Sequence, residues 1–438
     1  MGTGEVRRVI GSAWAGDNRD GVAALPLDGD CAAEVCVIGA GVAGLSVAYE
    51  LALRGADVVV LEAARVARGE TSRSTAHLVT ALDERYFAIA AAHGRRAARL
   101  AARSHRAAID RIAEIVRTES ISCEFEQVDG VLIVPRERAA ESRSLLEREL
   151  SACLAAGVAV DVLPRAPQMA RDTGACLRFP GQGQLNPVRY VEGLAKAVRE
   201  HGGRVFTGTR VVSVDHGQTE TITTADGAVV RAGSLVVATH EPLVAASLPV
   251  FRQTLMRSYV VGLARDRPAA AGGLLWDGHW DDGTPYHYVR TAASAPGGEE
   301  DLLLVGGEDH VAGLFKGRNS NGGEQHRYDR LEEWARRHFS GLGPVVRRWF
   351  GDILEPSGEL ALIGRIESVS GRVFVVTGDS GNGMTYAAIA GLMLPDLIAG
   401  HSHAWEELYS PSRALADHRS HGSHGDGPTA TGLLRSAG

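Results

Sequence analysis

"VCVIGAGVAGLSVAYELALRGADVVVLEA", residues 35–63, decides the fold of this chain. Gly39, Gly41 and Gly44 stand in G-x-G-x-x-G spacing, between an apolar run of strand length and a helical repeat of Leu45, Ala48, Leu51 and Ala52. An unbroken apolar strand is what a parallel sheet covered on both faces requires. Gly55 stands where a left-handed residue closes a helix, and "ADVVVLE" reads as a second buried strand ending in Glu62. The unit is complete. Its glycines let the backbone approach a pyrophosphate at a helix N-terminus, and its acid is placed for ribose hydroxyls. Glu62 would repel a 2′-phosphate, which disfavours NADP.

Which dinucleotide binds is decided further along the chain. "LEAARVARGETSRSTAH" (61–77) runs from the acid into a polar segment, where a simple NAD fold would begin its next helix. "SLVVATHEP" (234–242) is an apolar strand that stops at a small polar corner. "VFVVTGDSGNGMTYAAIAGLMLPDLIAG" (373–400) is a strand, a Gly-rich turn and a helix, offering a second helix N-terminus to an anionic or electron-rich ligand. A cofactor touched from both ends of the chain is long and spans the sheet, which suits FAD.

Composition bounds the rest. The 438 residues suffice for two or three domains or one large two-lobed unit. With 45% hydrophobic and 23% charged residues the chain is an ordinary globular protein. A net charge of −7 gives no general attraction to nucleic acid or to anionic lipid, so neither partner is expected. Cys31, Cys36, Cys123, Cys153 and Cys176 are scattered, without a C-x-x-C pair, so neither a disulfide framework nor a metal site is expected. The N-terminal residues carry no apolar signal core, and Met384–Ala399 is too short to span a membrane; the expectation is a cytoplasmic protein.

Together the N-terminal fingerprint, "GETSRSTA" and "TGDSGNGMT" resemble the D-amino-acid oxidase/glycine oxidase (DAO) superfamily of FAD-dependent oxidoreductases. "RFPGQGQLNPVRYVEGLAKAV", "PYHYVR", "LLLVGGEDHVAG" and "WEELYSPSR" resemble a bacterial subgroup in which this module usually precedes a Rieske domain. That domain needs C-x-H and C-x-x-H pairs, and no cysteine follows Cys176. The resemblance covers about residues 33–413 and implies an α/β fold: a Rossmann-like FAD-binding lobe of the glutathione-reductase-2 type, with a mixed-sheet α+β substrate lobe. It implies FAD contacts from Gly39, Gly41, Gly44, Glu62, Ser74, Thr75, His77, Val212, Thr239, Gly381, Gly383, Met384 and Thr385. Some superfamily members that oxidise N-methylated glycines bond the flavin covalently through the histidine of a Ser-Thr-x-His run. Ser74, Thr75 and His77 match that run; the alternative is a neutral imidazole that only hydrogen-bonds nearby.

On this reading residues 1–32 are a polar leader. Residues 33–82, 160–248 and 350–410 form a discontinuous FAD lobe, 83–159 and 249–349 the substrate lobe, and 411–438 a disordered tail. Helical patterns fill 83–117 and 136–156, and a third starts at Asn186 as N-cap with Pro187 at its first position. Two strands alternate with period two around Asp226-Gly227, a hairpin signal.

Flavin amine oxidation needs little beyond a neutral amine held with its C–H bond against the cofactor. In "TPYHYVRT" Tyr286, Tyr288 and Arg290 share one strand face, which can bind a carboxylate and enclose an amine, or can be the outer face of a sheet. Tyr259 in "RSYVVGL" is a further candidate. Amino-acid oxidases of this superfamily usually hold the substrate carboxylate with an Arg shortly before the last flavin segment, where this chain has Ile353 and Leu354. That puts a simple α-amino acid in doubt. The expected activity is oxidation of a C–N bond in a small amine or amino-acid-like molecule, by hydride transfer to flavin and hydrolysis of the imine. Oxygen or an electron carrier would reoxidise the flavin. The alternatives are a flavin monooxygenase or NAD(P)H-dependent reductase, for which no second G-x-G-x-x-G is present, and a redox-silent FAD-binding protein.

Overall fold

The computed structural model describes residues 9–14, 16, 25–134, 139–240, 251–266, 272–277, 286–293, 300–312 and 320–413. The first strand of the dinucleotide unit, Cys31–Ile38, runs parallel to Val58–Leu61 on one side and to Val229–Val237 on the other. Arg204–Phe206 and Val373–Thr377 extend this parallel core, and Leu362–Arg365 closes one edge antiparallel. Every side chain of Val58–Leu61 is buried, as expected of a strand covered on both faces. The hairpin about Asp226-Gly227 forms between Glu220–Thr224 and Val229–Val237, with Gly227 at φ +88°. Helices Val42–Leu53, Pro187–Glu200 and Gly383–Ile398 cover the sheet. Asn186 accepts the N–H groups of Val188 and Arg189, both at 3.2 Å, which fixes where the second of these helices begins.

Among the described residues, a second, mixed sheet of ten strands is built mostly from antiparallel pairs, its longest strands being Gln253–Asp266, Glu300–Val311 and Leu342–Pro356. Four of its strands depart from the expected division of the chain, His77–Leu78 and Asp161–Leu163 among them. Cys176–Gln184 pairs with Glu126–Leu132 in this sheet, and Leu342–Pro356 crosses the expected boundary at 350 while paired with Gln253–Asp266. Alternation identifies a strand but carries no record of which sheet it joins.

The expected polar leader is another departure. Val9–Ile10 pairs in parallel with Arg347–Arg348, Trp14 is 2% exposed, and the first strand of the dinucleotide unit already includes Cys31 and Ala32. Three isolated apolar residues in a polar stretch are too few to show a period, yet each is buried or paired. At the other end, Arg413 donates to the carbonyls of Leu360 (2.9 Å) and Ala361 (3.0 Å), so the packed chain reaches past 410. The rest of the expected tail, 414–438, lies outside the described residues. All five cysteines are free thiols, and no helix among the described residues is long and apolar enough to cross a membrane.

Candidate active site

The strand Cys31–Ile38 ends at Gly39, whose φ of +109° and close approach to Ala238 admit no side chain: a Cβ there would stand 2.5 Å from the Ala238 carbonyl oxygen. Gly41 caps the following helix. The Glu62 carboxylate accepts the Ala40 N–H (2.9 Å) and the Ala64 N–H (2.8 Å), and Thr71 Oγ1 accepts the Val42 N–H (3.1 Å). Glycine turn, acid and the 69–75 loop are thereby knitted around one helix N-terminus. A cavity of about 340 Å³ starts here and runs to the second helix N-terminus at Gly383 and to the wall of the mixed sheet.

Gly39, Gly41, Glu62 and Thr239 line the first part of this cavity, Ser74, Thr75 and His77 its middle, and Gly381, Gly383 and Met384 its far side. Its shape and donors fit FAD: backbone N–H groups at a helix start for a pyrophosphate, an acid near the ribose position, and a second helix dipole facing the opposite end. Tyr288 lines the cavity as well, its hydroxyl 3.0 Å from Ser258 Oγ, its ring 5.5 Å from that of Tyr286 and edge-on to His77 at 5.6 Å.

Five expected contacts fall outside the lining. Gly44 packs against the Gly39 carbonyl and serves helix–strand closeness rather than the ligand. Thr385 is fully buried, its hydroxyl donating to the Asn382 carbonyl at 3.0 Å. Val212 is 59% exposed, and the neighbouring Val211 lines the cavity instead. Tyr259 is buried on the reverse of its strand, stacked on His310 and edge-on to Tyr328, while Ser258 and Val260 face the cavity. Val212 and Tyr259 are both one-residue errors of strand register, which flip a side chain to the other face. Arg290 is buried under the cofactor-facing loop: its Nη1 donates to the carbonyls of Thr75 (2.7 Å), Leu185 (2.9 Å) and Ala76 (3.3 Å). Its guanidinium holds protein backbone, where a substrate carboxylate was expected.

His77 carries a neutral imidazole. Burial, then the charge of Arg290, pushes it down to about 3. Its Nε2 lies 3.3 Å from the Val289 carbonyl, which only accepts, so Nε2 holds the proton and Nδ1 accepts from Thr75 Oγ1 at 3.1 Å.

Sequence reasoning missed the aspartates of the lining. Asp83, Asp352 and Asp379 line the cavity. Asp352 takes a two-pronged bond from Arg257 (2.7 and 3.0 Å). Asp83 accepts from Asn382 Nδ2 at 3.3 Å, and burial raises the Asp379 carboxyl. Just behind, burial raises Asp309 to about 7 and Glu84 to about 8, and the charge of Asp83 adds to both shifts. Asp379 belongs to the quoted Gly-rich turn and was within reach of sequence reasoning; Asp83, in an unremarkable "LDER", carried no signal.

The family described as FAD dependent oxidoreductase, DAO, matches residues 34–397. YhfW of Bacillus subtilis, whose name describes a Rieske 2Fe-2S iron-sulfur protein, is 26% identical over 89% of this chain and 73% of its own length. Gamma-glutamylputrescine oxidoreductase of Escherichia coli is 26% identical over 85% of both chains. Among solved structures, glycine oxidase from Geobacillus kaustophilus superposes with a TM-score of 0.68 at 18% identity, covering 87% of this chain and 99% of that one. L-proline dehydrogenase from P. horikoshii gives the same score and identity over 90% and 99%. The dinucleotide cradle, the two-sheet fold and a family match spanning most of the sequence agree: this chain belongs to the DAO family of FAD-dependent oxidoreductases.

Proposed function

We propose that this oxidoreductase oxidises a C–N bond in a small cationic amine that is not anchored through an α-carboxylate. The observation that carries this reading is the commitment of the guanidinium groups at the mixed-sheet end of the cavity. Arg290 is spent on four backbone carbonyls, Arg257 on Asp352 and Arg73 on Glu70, while Ile353 lines the wall. Arg68 and Arg210 lie at the opposite end, beside the glycine turn: the neighbouring Ala67 and Thr209 N–H groups bond the carbonyls of Ala40 and Glu62. What the mixed-sheet end offers a substrate is carboxylate and phenol, the complement of an ammonium group.

When bound, FAD would supply the hydride acceptor for the carbon beside nitrogen once the ammonium has passed its proton to a cavity carboxylate, and an imine released to water hydrolyses. The chain's own part is to bind and orient. Tyr286, Tyr288, Trp276 and Val260 form a partly apolar wall that excludes water, and Asp83 and Asp379 attract the amine. Both nitrogens of His77 are engaged by protein groups, which supports FAD held there without a covalent link. Oxygen or an electron carrier takes the electrons afterwards.

The test is anaerobic bleaching of the bound flavin by a panel of amines and α-amino acids. Amines without an α-carboxylate should reduce it with kcat/KM at least about tenfold above glycine or proline, a difference of roughly 1.4 kcal/mol. Bleaching by α-amino acids alone overturns the reading. Bleaching only by a nicotinamide would instead mark a reductase or monooxygenase.

A further inference from the structure

The loop that faces the cofactor is held by its backbone, from outside. Arg73, Ser74, Thr75 and Ala76 are consecutive, and each of their carbonyls accepts an N–H from a distant side chain. Trp349 Nε1 donates to Arg73 (2.8 Å), Trp14 Nε1 to Ser74 (2.9 Å), and Arg290 Nη1 to Thr75 (2.7 Å) and Ala76 (3.3 Å). The clamped residues join the short helix Glu70–Arg73 to the strand His77–Leu78, which starts only after the clamp. Ala76 sits at φ +54°, a left-handed conformation that costs a residue with a Cβ about 1–2 kcal/mol and persists only where its surroundings impose it.

Two of the donors come from the mixed sheet, and the third from residues that precede the dinucleotide unit altogether. Val9–Ile10 adds a parallel strand beside Arg347–Arg348, and Gly11 N–H donates to the Arg348 carbonyl at 3.0 Å. That pairing lays the segment across the neighbour of Trp349 and carries Trp14 to Ser74. The Trp14 ring is buried and covers the Arg290 guanidinium at 5.5 Å, so it also shields the other donor of the clamp.

We propose that Val9–Trp14 is a strap and that Trp14 is a positioning residue, which sets the loop carrying Ser74, Thr75 and His77 against FAD. The inference needs only the family's cofactor and is independent of the substrate proposed above.

Trp14→Phe keeps the ring and removes the donor. In the full chain it should weaken FAD binding to the apoprotein about three- to tenfold, the equivalent of one lost hydrogen bond. It should also shift the visible absorption bands of the bound flavin, with the melting temperature of the apoprotein close to that of the parent. Unchanged FAD affinity and unchanged flavin bands overturn the proposal, whatever happens to the melting temperature, because a purely structural tryptophan would move only the latter. If Trp14→Phe does not fold, Trp349→Phe removes the donor to the adjacent carbonyl and is read in the same way. A parent protein that takes up no FAD would count against the cofactor assignment, and the strap would fall with it.

Discussion

Gly41 and Gly44 lie three residues apart in one motif and do different work. A Cβ on Gly41 would approach Thr71 Oγ1 at 3.2 Å, a tight but yielding contact, on a residue that lines the cavity. A Cβ on Gly44 would overlap the Gly39 carbonyl and press on Val37 Cγ1 at 3.2 Å, inside the packed seam of helix and strand. Gly41→Val is therefore expected to fold and to purify colourless, because its branched side chain fills the approach to the pyrophosphate. Gly44→Ala is expected to lose stability, by about 1–3 kcal/mol for an overpacked core contact. Absorbance ratios and thermal melts of the two variants separate these effects. A Gly41→Val protein that is yellow and fully loaded contradicts the assignment of that residue to the cofactor.

At the scale of elements, the strands separate what the sequence could tell from what it could not. The dinucleotide unit was legible because a buried parallel strand, a glycine turn and a capped helix each have a local signature. Faces of isolated strands were not. On Gln253–Asp266 the expected contact was Tyr259, a large polar aromatic, yet the ring packs into the cluster of Tyr328 and Phe350 while its neighbours Ser258 and Val260 reach the cavity. An aromatic residue is more readily buried behind a sheet than a serine, and period-two alternation alone does not say which side holds the ligand. The clamp was equally hidden, since nothing in a list of residues brings Trp14, Arg290 and Trp349 to four consecutive carbonyls. The strand's two faces predict opposite behaviour. Ser258→Ala removes the partner of the Tyr288 hydroxyl and should lower kcat/KM roughly two- to tenfold for the best amine substrate. Tyr259→Phe should leave it within about twofold, because the ring keeps its packing. Steady-state kinetics on both variants decide the register, and the reverse order of effects would place Tyr259 in the site.

At the scale of the whole molecule, two sheets close on one cavity and withdraw ionisable groups of both kinds from water, so stability should report on them together. His77 falls to about 3 and His105 to about 4, in both cases chiefly through burial. Each binds a proton in the unfolded chain below 6.5 that it refuses in the folded one, so their contribution is present above that pH and is lost as pH falls. Glu84 at about 8 and Asp309 at about 7 act with the opposite sign. They hold protons in the folded state that the unfolded chain has released above 4.5 and 3.8, so they reduce stability as pH rises until they ionise. Between about pH 5 and 6 the two pairs nearly cancel, each group being worth up to about 1.4 kcal/mol per pH unit. Above about pH 7 the histidines are neutral in both states and only the carboxyls remain. The melting temperature should therefore fall from about pH 7 to 8, and Glu84→Gln, which cannot ionise, should flatten that alkaline decline. Thermal melts across this range test the prediction. A melting temperature that holds or rises between pH 7 and 8 in the parent, or a decline untouched by Glu84→Gln, would show that these carboxyls are ionised in the folded protein and that the substrate end of the cavity carries more negative charge than their burial implies.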